Sequence, residues 1–368
     1  MARIWNKHKL NAPLKSKVFV AMSGGVDSSV AATLLKKQGY DVYGVFMRGF
    51  YPENIDCTWR EDRRDAMRVA AILGIPFCTF NFSKEYKKYV IDYMVEEYRV
   101  GRTPNPDIMC NKYIKFDLFL KKSLQMGADK IATGHYVRRL ETEVPSVKLL
   151  VARDKNKDQS YFLWTLTQKQ LKHCLFPIGD YLKTDVRKLA KEFKLPVFDK
   201  RDSQGLCFIG EFNISDFLKN FIKSKQGNVI NEKGEVVGRH DGIEYYTIGQ
   251  RHGIGAIGGV PYYVIAKDVN KNILTVAEKF SEEKFFKKEA LLADCNWISG
   301  NPPTGKYALS KKYMARVRYR QPLQICRLKT VNKKFTKVVF EEPQRAITPG
   351  QSLVIYSEDE LTGGGVIV

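Results

Sequence analysis

The chain has 368 residues, 44% hydrophobic and 27% charged, with a formal net charge of +21. That length supports two or three domains and a sizeable core, and the composition is that of an ordinary soluble globular protein. No apolar run of about eighteen residues occurs, so no spanning helix and no membrane partner are expected; so large a positive excess favours a polyanion, above all nucleic acid.

The first stretch, MARIWNKHKLNAPLKSK, is basic with no apolar centre and is not read as a secretory signal. A cytoplasmic location is expected. A mitochondrial address is the minor alternative, because the stretch is also free of acids. Val18 to Met22 read as a buried strand. After the loop SGGVDSS, Val30, Ala31, Leu34 and Leu35 carry helical spacing as far as Gly39, a C-terminal cap. DVYGVFM is a second strand. Thr58 and Glu61 of TWRE form a capping box that opens a helix ending at Gly74, with Pro76 beyond. FCTFNF and DKIATG read as strands, KEYKKYVIDYMVEEY and YIKFDLFLKKSLQM as helices. This α/β alternation predicts a doubly wound parallel sheet, whose ligands sit at the carboxyl ends of the strands.

From about Gly227 the texture changes to short strands between dense turns, among them PYYVIAKDV, NILTVAE, LQICRLKTV, KKFTKVVFE and QSLVIYS. These predict a small barrel or sandwich. In KKYMARVRYRQ a period of two puts Met314, Arg316, Arg318 and Arg320 on one face and Tyr313, Ala315, Val317 and Tyr319 on the other. The expectation is an apolar face for a core and a guanidinium row for phosphates.

The loop after the first strand points backbone N–H groups and a helix N-terminus at one centre, an arrangement that suits an anion. It lacks the lysine of a Walker A motif, and no GxGxxG is present, so phosphate or pyrophosphate binding is expected without that machinery. Asp27 in its middle is accounted for if it faces a divalent cation or orders the loop, which makes it the candidate magnesium ligand. The cysteines are Cys57, Cys78, Cys110, Cys174, Cys207, Cys295 and Cys326, with no CxxC pair. That argues against a zinc ribbon and a secreted disulfide framework, and for a reducing compartment. Five are read as buried inert thiols. Cys110 in GRTPNPDIMCNKYIKF falls just before a helical stretch, where the dipole and Lys112 or Lys115 would lower a thiol pKa. Two prolines and Asn105 are expected to keep TPNPD out of a helix. Cys207 lies in the glycine-flanked loop DSQGLCFIGE.

SGGVDSS resembles the PP-loop of the ATP-pyrophosphatase superfamily, whose members adenylate a substrate and release pyrophosphate. Together with GRTPNPDIMCNKYIKF, ATGHYVRR, NKDQSYFL, DSQGLCFIGE, TIGQRHGIG and TPGQS, it makes nearly the whole chain similar to the tRNA-specific 2-thiouridylases (MnmA type). The resemblance implies a PP-loop, adenine-nucleotide α-hydrolase-like catalytic domain over residues 1–208. A small central domain over 209–283 and a tRNA-contacting C-terminal β-barrel over 284–368 would follow. It implies ATP and Mg2+ as cofactors, with no permanently bound metal. The reaction would be sulfur transfer to the 2-position of the wobble uridine of tRNA, through an adenylated uridine and a cysteine persulfide, with release of AMP and pyrophosphate. Cys207 would bear the persulfide. Cys110 would be the nucleophile that frees the sulfur or closes a disulfide bond. Asp107 would be the acid/base or orienting group.

By the same resemblance Ala21, Met22, Ser23, Gly24, Gly25, Val26, Asp27 and Ser28 would hold the ATP phosphates, and Met47 and Gly134 the adenosine. Asn105, Pro106 and Asp107 would meet the target base, and His135, Lys157, Asp158, Gln159, Arg318, Tyr319 and Gln351 the tRNA. A persulfide-donating sulfur-carrier protein is the implied protein partner. Two departures stand out: RGFYPENIDCTW follows Met47 where the family has an Asn-Trp pair, and Gln204 replaces a common threonine. The rival readings are a PP-loop amide-forming ligase, which the charge and the basic strand oppose, and a non-catalytic RNA-binding protein or redox sensor. The intact loop and both cysteine segments oppose the latter two.

Overall fold

Val18 and Val20 are fully buried, as a strand covered on both faces requires, and they lie at the centre of a parallel sheet in the computed structural model. The structure describes residues 16–51, 58–143, 146–202, 205, 207, 213–251, 253–254, 261–278, 286–303, 311–332 and 334–368. Cys57 and Gln204 lie outside them. Two units are formed, Met1–Lys87 with Met109–Glu211, and Lys88–Ile108 with Phe212–Val368. Among the described residues no helix is long and apolar enough to cross a membrane.

The first unit runs β1 (Lys17–Ala21), α1 (Val26–Lys37), β2 (Asp41–Arg48), α2 (Trp59–Leu73), β3 (Phe77–Asn81) and β4 (Lys130–Ala132). A hairpin of β5 (Val137–Glu141) and β6 (Val147–Val151), β7 (Cys174–Leu175) and the helix Lys183–Glu192 follow. The sheet order is β3-β2-β1-β4-β7, parallel throughout, with Val18 opposite Val42 on one side and Lys130 on the other. This is the doubly wound arrangement that the alternation predicts. Val30, Ala31, Leu34 and Leu35 of α1 are buried as their spacing requires, and Gly39 takes the left-handed φ of +91° that ends the helix. Gly74 closes α2 in the same way. The capping box at Thr58 does not form: its hydroxyl donates instead to the Asp62 carboxylate at 3.0 Å, one turn into the helix.

Thr103, Pro104 and Asn105 stay out of a helix as expected, but Pro106 and Asp107 do not. A helix starts at Pro106 (Pro106–Met109) and continues as a π-helical run, Cys110–Leu118, and then as Phe119–Gln125. Proline is tolerated at the first helical position because its missing N–H has no intrahelical partner there. Asn105 caps the start, its side-chain oxygen accepting from Ile108 N at 3.4 Å. Cys110 therefore sits inside the helix, not ahead of it.

In the second unit β8 (Gly227–Ile230), β9 (Val236–His240), β10 (Tyr263–Asp268) and β11 (Ile273–Ala277) form a sheet of order β10-β11-β8-β9. The next six strands are β12 (Phe286–Trp297), β13 (Tyr313–Arg316), β14 (Gln324–Thr330), β15 (Thr336–Arg345), β16 (Ser352–Ser357) and β17 (Glu360–Ile367). Their order is β12-β15-β14-β13-β16-β17, and β12 pairs again with β17, which closes a barrel around Leu292, Ala315, Leu328, Val338 and Ile355. The predicted apolar face holds, with Tyr313, Ala315 and Val317 buried. The guanidinium row does not. The strand ends at Arg316, which is itself buried with its guanidinium 5.0 Å from the Tyr356 ring centre, and Arg320 takes a φ of +65° that breaks the period.

Candidate active site

The anion loop is built by short-range hydrogen bonds. Ser23 N donates to Ser28 Oγ at 3.1 Å, and Ser29 Oγ donates to Gly25 O at 2.7 Å. Gly25 precedes α1 with no side chain capping it, so the first N–H groups of the helix face the loop. Gly24 has a φ of +78°, and a Cβ there would overlap the Asp62 carbonyl, so glycine is required. At the end of β4, a Cβ on Gly134 would lie 2.7 Å from Ser28 N. The loop is thus walled by backbone on two sides, with Met22 and Met47 buried below. Such a cradle fits a phosphate chain.

Asp27 is held by side chains from outside the loop. Lys183 Nζ donates to both of its carboxylate oxygens, at 2.7 and 2.9 Å, and Tyr136 OH donates to Oδ1 at 2.8 Å. Lys183 is buried and also pairs with Asp202 at 2.7 Å. Asp202 in turn meets Lys157 at 2.7 Å and Arg187 at 2.8 Å. Burial raises the Asp202 carboxyl, but hydrogen bonds from Lys157 and Lys183 outweigh it and hold the group down to about 2. Burial, then the Asp27 charge, push the Tyr136 phenol up, so it stays a donor. Among the described residues no group of three His, Cys, Asp or Glu side chains stands together as a metal cage. With both oxygens engaged, Asp27 does not fit as a magnesium ligand. Its hydrogen bonds tie the first turn of α1 to Tyr136 and Lys183.

Sequence reasoning missed Lys183, Asp202, Arg187 and Tyr136. Tyr136 and Asp202 lie inside the motifs ATGHYVRR and DSQGLC, which was a usable signal. Lys183 had none, being one of 61 lysines and arginines.

Cys110 and Cys207, 97 residues apart in the chain, have their sulfurs 3.5 Å from each other as free thiols. Cys110 is fully buried in the π-helical run and Cys207 is half-buried. Tyr86 OH donates to the Cys207 carbonyl at 2.5 Å. Burial pushes the thiols of Cys174 and Cys326 up to about 12 and raises those of Cys78 and Cys295. A raised thiol pKa disfavours the reactive thiolate at these four positions, of which Cys174 and Cys326 are buried and Cys78 and Cys295 half-buried.

Several residues expected to face tRNA are turned inward. His135 is buried against Phe116 and Phe176, its Nδ1 2.7 Å from Thr133 Oγ1, and burial holds its pKa well below the ordinary histidine range. Asp158 is buried and accepts from Ala152 N at 3.0 Å and Ser160 Oγ at 2.8 Å. Gln159 accepts from Tyr136 N at 2.9 Å, and Lys157 holds Asp202. Within NKDQS, Asp158 and Ser160 are buried, Lys157 and Gln159 are half-buried, and Asn156 is exposed. In the second unit Gln351 Nε2 donates to the carbonyls of Thr103 and Pro104, at 2.9 and 3.1 Å, which fixes the chain ahead of Asn105, Pro106 and Asp107. Arg318 donates to Ile248 O at 2.7 Å and Thr348 Oγ1 at 3.2 Å. Tyr319 is half-buried beneath the Arg320 guanidinium, 5.3 Å away.

Residues 16–211 match the family described as the tRNA methyl transferase HUP domain, and 215–278 match the tRNA methyl transferase PRC-barrel domain. Residues 287–367 match the aminomethyltransferase beta-barrel domain. The tRNA-specific 2-thiouridylase MnmA of Francisella philomiragia is 47% identical to this chain over 361 residues, covering 96% of this chain and 99% of its own. The tRNA-specific 2-thiouridylase MnmA of Geobacillus thermodenitrificans is 47% identical over 359 residues, covering 97% and 95%.

Proposed function

Because the chain belongs to the tRNA-specific 2-thiouridylase family, PP-loop enzymes that transfer sulfur to tRNA, we propose that it thiolates the wobble uridine through an adenylated uridine and a Cys207 persulfide. The observation that carries this reading is the Cys110–Cys207 pair, two thiols 3.5 Å apart in the unit that also holds the SGGVDSS cradle.

The chemistry follows from what a urea-like carbonyl lacks. It is a poor electrophile, and its oxygen is a poor leaving group. Attack of the uridine 2-oxygen on the α-phosphorus of ATP breaks the bond to pyrophosphate and joins AMP to that oxygen. Residues Ala21 to Ser28 hold the phosphates, with Met47 and Gly134 at the adenosine. The outer sulfur of the Cys207 persulfide then attacks C2. Cys110, as thiolate, attacks the inner sulfur. A Cys110–Cys207 disulfide forms, the electron pair of the broken S–S bond stays with the transferred sulfur, and AMP departs with the electron pair of the C2–O bond. The proton given up by Cys110 passes to solvent or to Asp107, three residues earlier in the same helical run. A thiol reductant resets the disulfide, and a persulfide-donating protein reloads Cys207. The net charge of +21 supports a polyanionic substrate.

The test is mass analysis of nucleosides from unmodified tRNA incubated with the protein, ATP, Mg2+ and a small-molecule persulfide donor, whose outer sulfur Cys207 takes as the donor leaves as a thiolate. A gain of one sulfur on the wobble uridine that vanishes without ATP supports the reading. AMP release without tRNA, driven by a small metabolite, would replace it with the ligase.

A further inference from the structure

We infer that the Tyr86 hydroxyl is the positioning group that sets the approach of Cys207 to Cys110; the inference rests on reading these thiols as the sulfur-handling pair. Tyr86 is fully buried and donates to the Cys207 carbonyl at 2.5 Å. It ends the helix Ser83–Tyr86, which packs against the π-helical run that begins at Cys110. One element therefore touches the helix of one thiol and holds the backbone of the other. Gly205, two residues before Cys207, takes a φ of +87°, a conformation that only glycine adopts without strain. Asp202, five residues before Cys207, is a further anchor, held by Lys157, Lys183 and Arg187. With the Cys207 carbonyl pinned, the freedom left to its sulfur is mainly rotation about Cα–Cβ. From 3.5 Å, a rotation of that kind brings it toward the roughly 2 Å of a disulfide. Tyr86 acts as a positioning group, through the Cys207 backbone.

The experiment is equilibration of the full chain with reduced and oxidised glutathione, without ATP or tRNA. Two protein thiols and one glutathione disulfide give one protein disulfide and two glutathione thiols, so the equilibrium constant reports how well Cys110 and Cys207 meet. Tyr86→Phe keeps the ring and removes the hydroxyl. The constant is expected to fall roughly three- to tenfold, the size of one buried hydrogen bond, while Tyr40→Phe, which removes a hydroxyl at the start of β2, leaves it unchanged. An unchanged constant in Tyr86→Phe, or an equal fall in Tyr40→Phe, overturns the inference. If Tyr86→Phe does not fold, 3-fluorotyrosine placed at position 86 retains a hydroxyl that donates more strongly. The constant must then hold or rise, and a fall overturns the inference. A wild-type chain that closes the disulfide yet adds no sulfur to tRNA would defeat the functional reading and leave this one standing.

Discussion

Lys183 joins two carboxylates of the first unit, since one ammonium answers Asp27 in the anion loop and Asp202 ahead of Cys207. Lys183→Met leaves two carboxylates facing each other across an uncharged side chain. It is expected to lower stability by about 2–4 kcal/mol, read as a shift in urea midpoint. Asp202 carries a pH signature. Its folded pKa, near 2, lies below that of an unfolded carboxylate, so its stabilisation is complete above about pH 4 and is lost as the pH falls toward 2. His135 acts in another window. Its folded pKa is held well below the ordinary value, so below about pH 6.5 the unfolded chain takes up a proton that the folded one refuses, and stability falls. Urea midpoints between pH 7 and 5.5 should drop in the wild type and drop less in His135→Asn. At the cysteines, Cys207→Ser should stop sulfur transfer while tRNA-dependent adenylation, read as pyrophosphate release, continues. Equal loss of both would remove the persulfide role.

Among the elements, the loop and the ends of β1 and β4 work as one piece of backbone. Gly134→Ala would push a methyl group to 2.7 Å from Ser28 N, so either β4 or the start of α1 must move. ATP affinity is expected to fall by about tenfold or more, roughly 1.4 kcal/mol, with the fold intact by circular dichroism. Wild-type affinity in that variant would take Gly134 out of the nucleotide site. These elements were readable because their signals are local. SGGVDSS, Gly39 and Gly74 each announce a turn within a few residues of chain. The start of the helix at Pro106 was misread because proline disfavours a helix at every position but the first turn, and only the cap by Asn105 shows which case applies. The guanidinium row failed for a similar reason: a period of two holds only as long as the strand, and this strand ends at Arg316.

Over the whole molecule, the positive excess should make tRNA binding a largely electrostatic event. Affinity for unmodified tRNA is expected to fall about a thousandfold or more between 50 and 200 mM salt, as for a protein that covers six or more phosphates. Filter binding across that range tests it, and a flat profile would mean that few phosphates are contacted. What the amino-acid sequence determined by itself was the alternation that makes the parallel sheet, the strand-rich second half, the anion loop, and the two cysteine segments that stand apart from the other thiols. All of these are written in neighbouring residues, through periodicity, glycine placement and motif. Only the tertiary structure decided that Asp27 is held by a lysine 156 residues away, that His135 and Asp158 face inward, and that the sulfurs of Cys110 and Cys207 lie 3.5 Å apart. Pairings of that kind depend on where the sheet brings distant segments together, and a charge or a thiol carries no local mark of its partner.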